Sequence, residues 1–328
     1  MNYATLFNDI KKIKVAIIGD VMLDTYMWGN VERVSPEAPV PIVALQKKEY
    51  RIGGAGNVAL NTIALNAATH IFSVIGNDDD ANTLIHLLQK QGINTNGIIQ
   101  SDKRITTNKI RVIARNQQMM RLDTEITNDI TIEEEKKLIE NIETYITTLN
   151  PDVIIFEDYN KGVLTSTVIQ TVIQLCKKNK VLTTVDPKRK NFFEYKEVDI
   201  FKPNLKEVKE ALHILIDDVN KENLQTIHQQ LQATLQHHTS LITLSEKGIF
   251  YQTNSSAHIL PAYIRSIADV SGAGDTVIAV ISLIYAATKN IQLSAQIANI
   301  AGGLVCEEVG TVAINKENLE KEITILLK

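Results

Sequence analysis

An α/β fold, with one mostly parallel sheet covered by helices on both faces, is what this sequence predicts, and three observations carry it. Short β-rich runs alternate with helical patterns along the chain. Two of those runs, VAIIG at 15–19 and VIIF at 153–156, are apolar without alternation, as strands buried on both sides must be. The 328 residues are 44% hydrophobic and 22% charged, a globular balance with enough chain for one large domain. Fibrous and disordered classes are excluded on that composition. A net charge of −4 gives no general attraction to nucleic acid or anionic membrane, so any phosphate-binding surface has to be a local basic cluster. Cys176 and Cys306 form no CxxC pair and no disulfide framework. The first residues, MNYATLFNDIKKIK, lack the apolar core of a signal peptide. The longest apolar-rich run, 277–287, is far short of the ~20 residues that span a bilayer. A cytoplasmic protein with no nucleic-acid or membrane partner is expected.

In chain order, a strand at 14–19 runs into Gly19-Asp20-Val21-Met22-Leu23-Asp24, which lies at its carboxyl end. Prolines at 39 and 41 open the extended run 39–45 and place it at a sheet edge. A helix at 57–68, a strand at 70–75 and a helix at 80–91 follow. Residues 106–115 alternate, with Lys109 and Arg111 on one side and Ile110 and Val112 on the other, which describes a half-exposed antiparallel strand. The segments 39–45 and 106–115 read as parts of a small β lid or, equally well, as an ordinary edge hairpin. Helices at 132–148, 166–178, 205–214, 224–236 and 276–288 and strands at 153–157, 181–185, 200–202 and 240–244 complete the alternation. The EEEKK run at 133–137 reads as a solvated helix face, and His237-His238 as a solvated loop.

The chemistry concentrates in five stretches. Asp269-Val-Ser-Gly-Ala-Gly-Asp275 precedes a helix, so glycine-flanked amides and the helix N-terminus can cradle an anion beside the Asp275 carboxylate. Phosphoryl transfer to an alcohol needs that combination, a cradle for the migrating group and a base for the hydroxyl proton. The base has to face a space that holds both reactants. The competing reading is a tight turn with Asp275 as helix cap. Gly54-Ala-Gly56-Asn-Val-Ala59 fits the relaxed dinucleotide pattern G-x-G-x-x-A, with Asp78 further on, so a nicotinamide dehydrogenase is a rival. Against it, the first strand-to-turn unit lacks the glycines, and KKEYRI before Gly53 makes a poor buried strand. The glycines there can instead let backbone approach a sugar, with Asn57 bonding hydroxyls. Asp24, beyond a strand end, is placed to accept from a polyol or to stabilise a turn. Lys202-Pro-Asn204-Leu205-Lys206-Glu207 reads best as a capping box, with Glu207 holding Mg²⁺ through water as the alternative. Lys109, Arg111, Arg115 and Arg121 suggest recognition of a phosphate already on the substrate, or a charged edge that resists aggregation. A P-loop pattern and histidine metal spacing are absent.

Together these motifs resemble the PfkB, or ribokinase-like, family of carbohydrate kinases. Gly53-Gly54-Ala55-Gly56-Asn57 is similar to the family's N-terminal signature and Asp269 to Asp275 to its C-terminal one. GDVMLDTYMWG (19–29), RVSPEAPVPIV (33–43), NKIRVIARNQQMMRLD (108–123), EDYNKGVL (157–164), VDPKRKNFFEY (185–195), KPNLKEV (202–208) and LPAYIRSIADVSGAGDTVIA (260–279) resemble segments of the family's heptose 7-phosphate kinases. The resemblance implies a single ribokinase-like domain over 1–328, its mostly parallel sheet joined by a small β-sheet lid at about 24–50 and 100–123. It implies transfer from MgATP to the anomeric hydroxyl of D-glycero-β-D-manno-heptose 7-phosphate, for ADP-heptose and lipopolysaccharide core synthesis. Other sugars of the family, namely ribose, 2-keto-3-deoxygluconate and fructose 1-phosphate, are the alternatives.

Carried onto this chain, the resemblance makes Asp275 the base and Gly272, Ala273 and Gly274 the anion hole. Asn204, Leu205, Lys206, Glu207, Lys188, Thr243, Ser245 and Gly248 are placed at ATP, with Glu207 on the metal. Asp24, Gly53, Gly54 and Asn57 are placed at the sugar. Lys109, Arg111, Arg115, Arg121 and Lys161 are assigned to its distal phosphate from their charge. Ser271, Arg189, Glu157 and Leu244 depart from the family pattern, which has threonine, glycine, serine and arginine at those places. A monovalent cation and a separate or fused nucleotidyltransferase are further expectations. Open lid edges imply a homodimer that pairs two lids.

Overall fold

The computed structural model describes residues 3–115, 117–216 and 218–327. Asn116, inside the basic segment, lies outside the described residues. The chain opens with α1 (Tyr3–Ile10), β1 (Lys14–Gly19), β2 (Val21–Val34), β3 (Pro41–Gly54), α2 (Ala55–Ala64), β4 (Ala68–Gly76), α3 (Asp79–Lys90) and β5 (Asn94–Ser101). It continues through β6 (Asn108–Ala114), β7 (Gln117–Thr124), α4 (Ile132–Leu149), β8 (Val153–Glu157), α5 (Ser166–Asn179), β9 (Leu182–Asp186), β10 (Ile200–Phe201) and α6 (Leu205–Leu212). It closes with α7 (Lys221–Leu235), β11 (Thr239–Thr243), β12 (Ile249–Gln252), β13 (Ala257–Leu260), α8 (Ala273–Thr288), α9 (Ile291–Val305) and α10 (Lys316–Leu326).

The large sheet runs β13-β12-β11-β10-β9-β8-β1-β4-β5, parallel from β11 to β5, with the antiparallel hairpin β12–β13 at one edge. Alternation along β1 explains its unbroken apolar run. Val15 and Ile17 join one core layer with α2, α3, α8 and α9, while Ala16 and Ile18 join the other with α4, α5 and α7. Both faces are therefore buried, as the sequence pattern required. Register places Gly19 beside Glu157 and Glu157 beside Asp186, so the carboxyl ends of β8 and β9 deliver acidic side chains to one place, next to the glycine that ends β1.

A second, four-stranded sheet runs β3-β2-β6-β7. The edge position of the proline-led segment holds, since β3 pairs with β2 alone. Two readings change. Asp24, offered a turn-stabilising role beyond the first strand, lies instead inside a 14-residue strand, Val21–Val34, opposite Arg51 and Lys109. Its residues do not alternate because the first six, Val21 to Tyr26, are buried on both faces, while the strand emerges into solvent toward Val34. And β6 does not pair with the proline-led segment: it lies inside the small sheet, parallel to β2 and antiparallel to the edge strand β7. His237 is also no loop residue in solvent. It is buried with Nε2 at 2.6 Å from Ser240 Oγ, and burial pushes its pKa down to about 3.

Candidate active site

Gly272 begins α8 as its N-cap at φ 80°, with no side chain capping the first-turn amides. A Cβ at this position would sit 2.8 Å from Asn57 Nδ2, so both backbone angle and space require glycine. Asp275 is not the cap that one reading made it. Its side chain turns inward, Oδ2 accepting from Asn57 Nδ2 at 2.7 Å and Oδ1 from the Tyr159 hydroxyl at 2.8 Å. Asn57 comes from α2, which packs on α8, and Tyr159 from the loop after β8. Burial pushes the Asp275 carboxyl above its ordinary range, against the pull of those two hydrogen bonds. At 6% exposure with both oxygens engaged, the carboxylate is nearly closed off. That is tighter than the open helix mouth expected from the sequence, with the Tyr159 hydroxyl covering Oδ1.

Behind Asp275 lie Glu157, Asp186 and Lys202, all buried. Lys202 Nζ meets Asp186 Oδ2 at 2.7 Å and Lys188 Nζ meets Oδ1 at 3.4 Å. Burial works against the Asp186 carboxylate, but the two ammonium groups outweigh it and hold its pKa below the usual value. Lys188 also pairs with Glu207 Oε1 at 2.6 Å and lies 5.7 Å over the Tyr159 ring. Burial opposes its charge too, yet Asp186 and Glu207 raise its pKa. Glu157, Asp186 and Asp275 each bring one oxygen within 4.8 Å of the others, close enough for a cation. Both oxygens of Asp186 already face ammonium groups, and both of Asp275 face donors.

The residues assigned to nucleotide converge, with one exception. Asn204 and Glu207 form the capping box read from their spacing, each side chain accepting the other's backbone N–H at 2.8 Å. With Glu207 held by that bond and by Lys188, a water-mediated hold on Mg²⁺ suits it better than direct ligation. A bridge between Asn204 and Thr243 sets Leu205 at the start of α6 beside the Thr243–Gly248 turn, where Ser245 and Gly248 take left-handed backbone. Lys206 instead points into solvent and faces Glu210 at 3.8 Å.

On the small sheet, register puts Asp24, Arg51, Lys109, Arg111, Arg121 and Asp123 on one face. Arg111 forms an ion pair with Asp24, and a Cβ on Gly53 would lie 2.4 Å from Asp24 Oδ2, so that glycine lets the strand close on the carboxylate. Arg51 and Arg111 both lie over the Tyr26 ring, at 4.6 and 5.3 Å. Gly54 leaves β3 at φ 59° and caps α2. Lys161 pairs with Glu125 at 2.9 Å, and Arg121 with Asp123 at 2.9 Å. Arg115 stands apart, in the turn beyond β6, donating to the Val31 carbonyl. The dinucleotide reading loses its context. The strand before Gly54-Ala-Gly56 is the antiparallel edge of the small sheet, and Asp78 caps α3 through Ala81 N.

Sequence reasoning missed Tyr159, Lys202, Asp186 as an ion-pair centre, and Arg51. None has a local pattern that marks its role: Tyr159 meets Asp275, Arg51 lies over Tyr26, and Lys202 reaches Asp186 only across paired strands.

Among curated relatives, the "Bifunctional protein HldE" of Geobacter sulfurreducens is 38% identical over 316 residues, 96% of this chain and 64% of that protein. The protein of the same name from Aliarcobacter butzleri is 41% identical over 310 residues, 94% of this chain and 64% of its own length. The chain thus spans just under two thirds of those relatives. Among solved structures, phosphofructokinase-2 from Escherichia coli in complex with potassium superimposes with TM-score 0.80 at 14% identity, over 96% of this chain and all of the other. Arabidopsis thaliana ribokinase complexed with ribose and ATP gives 0.74 at 14% identity, over 94% and 99%. The fold is the one those kinases share. The pfkB family carbohydrate kinase pattern matches residues 12–318, and the chain belongs to that family of phosphotransferases with an alcohol group as acceptor.

Proposed function

We propose that this chain transfers the γ-phosphoryl group of ATP to the anomeric hydroxyl of D-glycero-β-D-manno-heptose 7-phosphate, forming the 1,7-bisphosphate and ADP. The observation that carries the reaction is Asp275, a buried carboxylate in the first turn of α8, oriented by Asn57 and Tyr159. The sugar hydroxyl takes the place of the Tyr159 phenol at Oδ1 and gives its proton to the carboxylate. Its oxygen attacks the γ-phosphorus as the bond to ADP breaks, and the amides of Gly272, Ala273 and Gly274 receive the charge on the migrating group. Asn57 Oδ1, buried and without a partner among the described residues, suits a second sugar hydroxyl. Asp24, Gly53 and Gly54 border the sugar, while Lys109 and Arg111, with Lys161 near them, face its distal phosphate. Nucleotide is held by Lys188, Asn204, Leu205, Glu207, Thr243, Ser245 and Gly248. Glu207 would hold Mg²⁺ through water, the ion would supply charge neutralisation when bound, and a monovalent cation would be a further activator.

Heptose phosphate is favoured by the resemblance of segments 19–29, 33–43 and 108–123, together with the 38–41% identity to the HldE proteins. A separate or fused nucleotidyltransferase would act later toward ADP-heptose, in the cytoplasm. No helix among the described residues is long and apolar enough to cross a membrane. The small sheet serves as a lid, and its edge strand β7, exposed throughout with Met119, Met120 and Leu122, is the pairing surface for a homodimer.

ADP release measured over a panel of heptose 7-phosphate, ribose, 2-keto-3-deoxygluconate and fructose 1-phosphate tests the substrate. Turnover concentrated on heptose 7-phosphate is expected; robust turnover of ribose with none of heptose 7-phosphate would overturn it.

A further inference from the structure

Glu157 ends β8 with 0% exposure, and neither Oε1 nor Oε2 has a hydrogen-bond donor among the described residues. The charged groups that face it come from every side: Asp186 from β9, Asp275 from α8, Lys188 from the loop after β9 and Lys202 from the end of β10. One of its oxygens lies within 4.8 Å of an oxygen of both Asp186 and Asp275. The two lysines answer Asp186, while Asn57 and Tyr159 answer Asp275. A third buried negative charge would therefore have no partner, which is far costlier than a buried neutral carboxyl. A metal ion would have to displace ammonium groups from Asp186 or the donors from Asp275. A proton on Glu157 requires neither, and gives a carboxyl O–H with carboxylate oxygens of Asp186 and Asp275 within 4.8 Å to accept from it.

We propose that Glu157 is a neutral hydrogen-bond donor to its carboxylate neighbours, a positioning residue that keeps Asp186 and Asp275 ionised and in place with a proton instead of a metal ion. The inference rests on Asp275 as the base. Burial, with Asp186 and Asp275 next, pushes the Glu157 carboxyl well above its ordinary range, in keeping with that state. Ionising Glu157 at high pH adds negative charge beside the base and the migrating phosphate, so turnover falls on the alkaline side.

The test combines pH profiles of kcat and KM for Glu157→Ala and Glu157→Gln with infrared spectra of the unliganded full chain. Glu157→Ala lowers kcat by about tenfold or more, and Glu157→Gln, which donates at every pH, rescues most of that loss and removes the alkaline fall. The wild type at neutral pH shows the C=O stretch of a protonated carboxyl, and Glu157→Gln loses it. Absence of that band, or a Gln variant as impaired as the Ala variant, overturns the proposal. Full activity in Asp275→Asn would instead remove the base assignment while leaving the infrared band unchanged, so the two failures are distinguishable.

Discussion

Replacing Asp275 by asparagine isolates the charge from the geometry. In the native chain the carboxylate accepts from Asn57 Nδ2 at 2.7 Å and from the Tyr159 hydroxyl at 2.8 Å. An asparagine of the same shape can still accept from Asn57 through Oδ1 and donate through Nδ2 to the Tyr159 oxygen, so neither neighbour is orphaned. The fold and the ATP affinity are expected to survive. What disappears is the proton acceptor, and a positioned base contributes about 10²–10⁴ in rate, or about 2.7–5.4 kcal/mol of barrier. The assay is ADP release with heptose 7-phosphate, paired with calorimetric titration of ATP. Retention of ATP binding with kcat reduced by about 10² or more supports the assignment. A variant that turns over at the wild-type rate would refute it. Stability adds a second readout. Burial raises the folded-state pKa of Asp275 above its unfolded value, so the folded state holds its proton to higher pH than the unfolded state does. Wild-type stability is then fullest below the unfolded carboxyl pKa and is lost as pH rises toward the folded one. The variant lacks this dependence, and its melting temperature should gain on the wild type as pH increases through that window.

Tyr159→Phe removes a hydrogen bond that holds the Asp275 pKa down, so the acid limb of kcat/KM moves to higher pH; an unmoved limb would deny the phenol its role. Gly272→Ala forces a side chain onto a residue at φ 80° and against Asn57, and should cost about 1–2 kcal/mol of stability with a disproportionate loss of kcat, read by thermal melts and ADP release. Arg111→Met leaves Asp24 buried without its cation and raises KM for the sugar phosphate by about tenfold or more, whereas Arg115→Met changes KM by less than about twofold. Equal effects of the two substitutions in steady-state kinetics would show that the distal phosphate is not read at the Asp24 end of the small sheet.

Local features of this protein were legible from the chain alone. Unbroken apolar runs such as 15–18 and 153–156 predict strands with both faces covered, because period-two alternation puts every residue of such a run into one core layer or the other. Asn204 and Glu207 lie three residues apart, so their reciprocal capping is a property of one helical turn. The glycines before Asp275 likewise announce a helix start with amides facing outward. Long-range partnerships were not legible. Whether Asp275 caps its helix or faces inward depends on Asn57, 218 residues away, and Tyr159, 116 residues away. Lys109, Arg111, Arg115 and Arg121 are similar as sequence, but strand register sets Arg111 opposite Arg121 and beside Asp24 and leaves Arg115 at the far turn. The buried network of Glu157, Asp186, Lys188 and Lys202 exists only because parallel pairing aligns the ends of β8, β9 and β10. Hydrogen bonds within a turn and burial periodicity are written in neighbouring residues. Charge pairing, and with it the pKa of each buried acidic and basic group, is decided by which strands and helices meet.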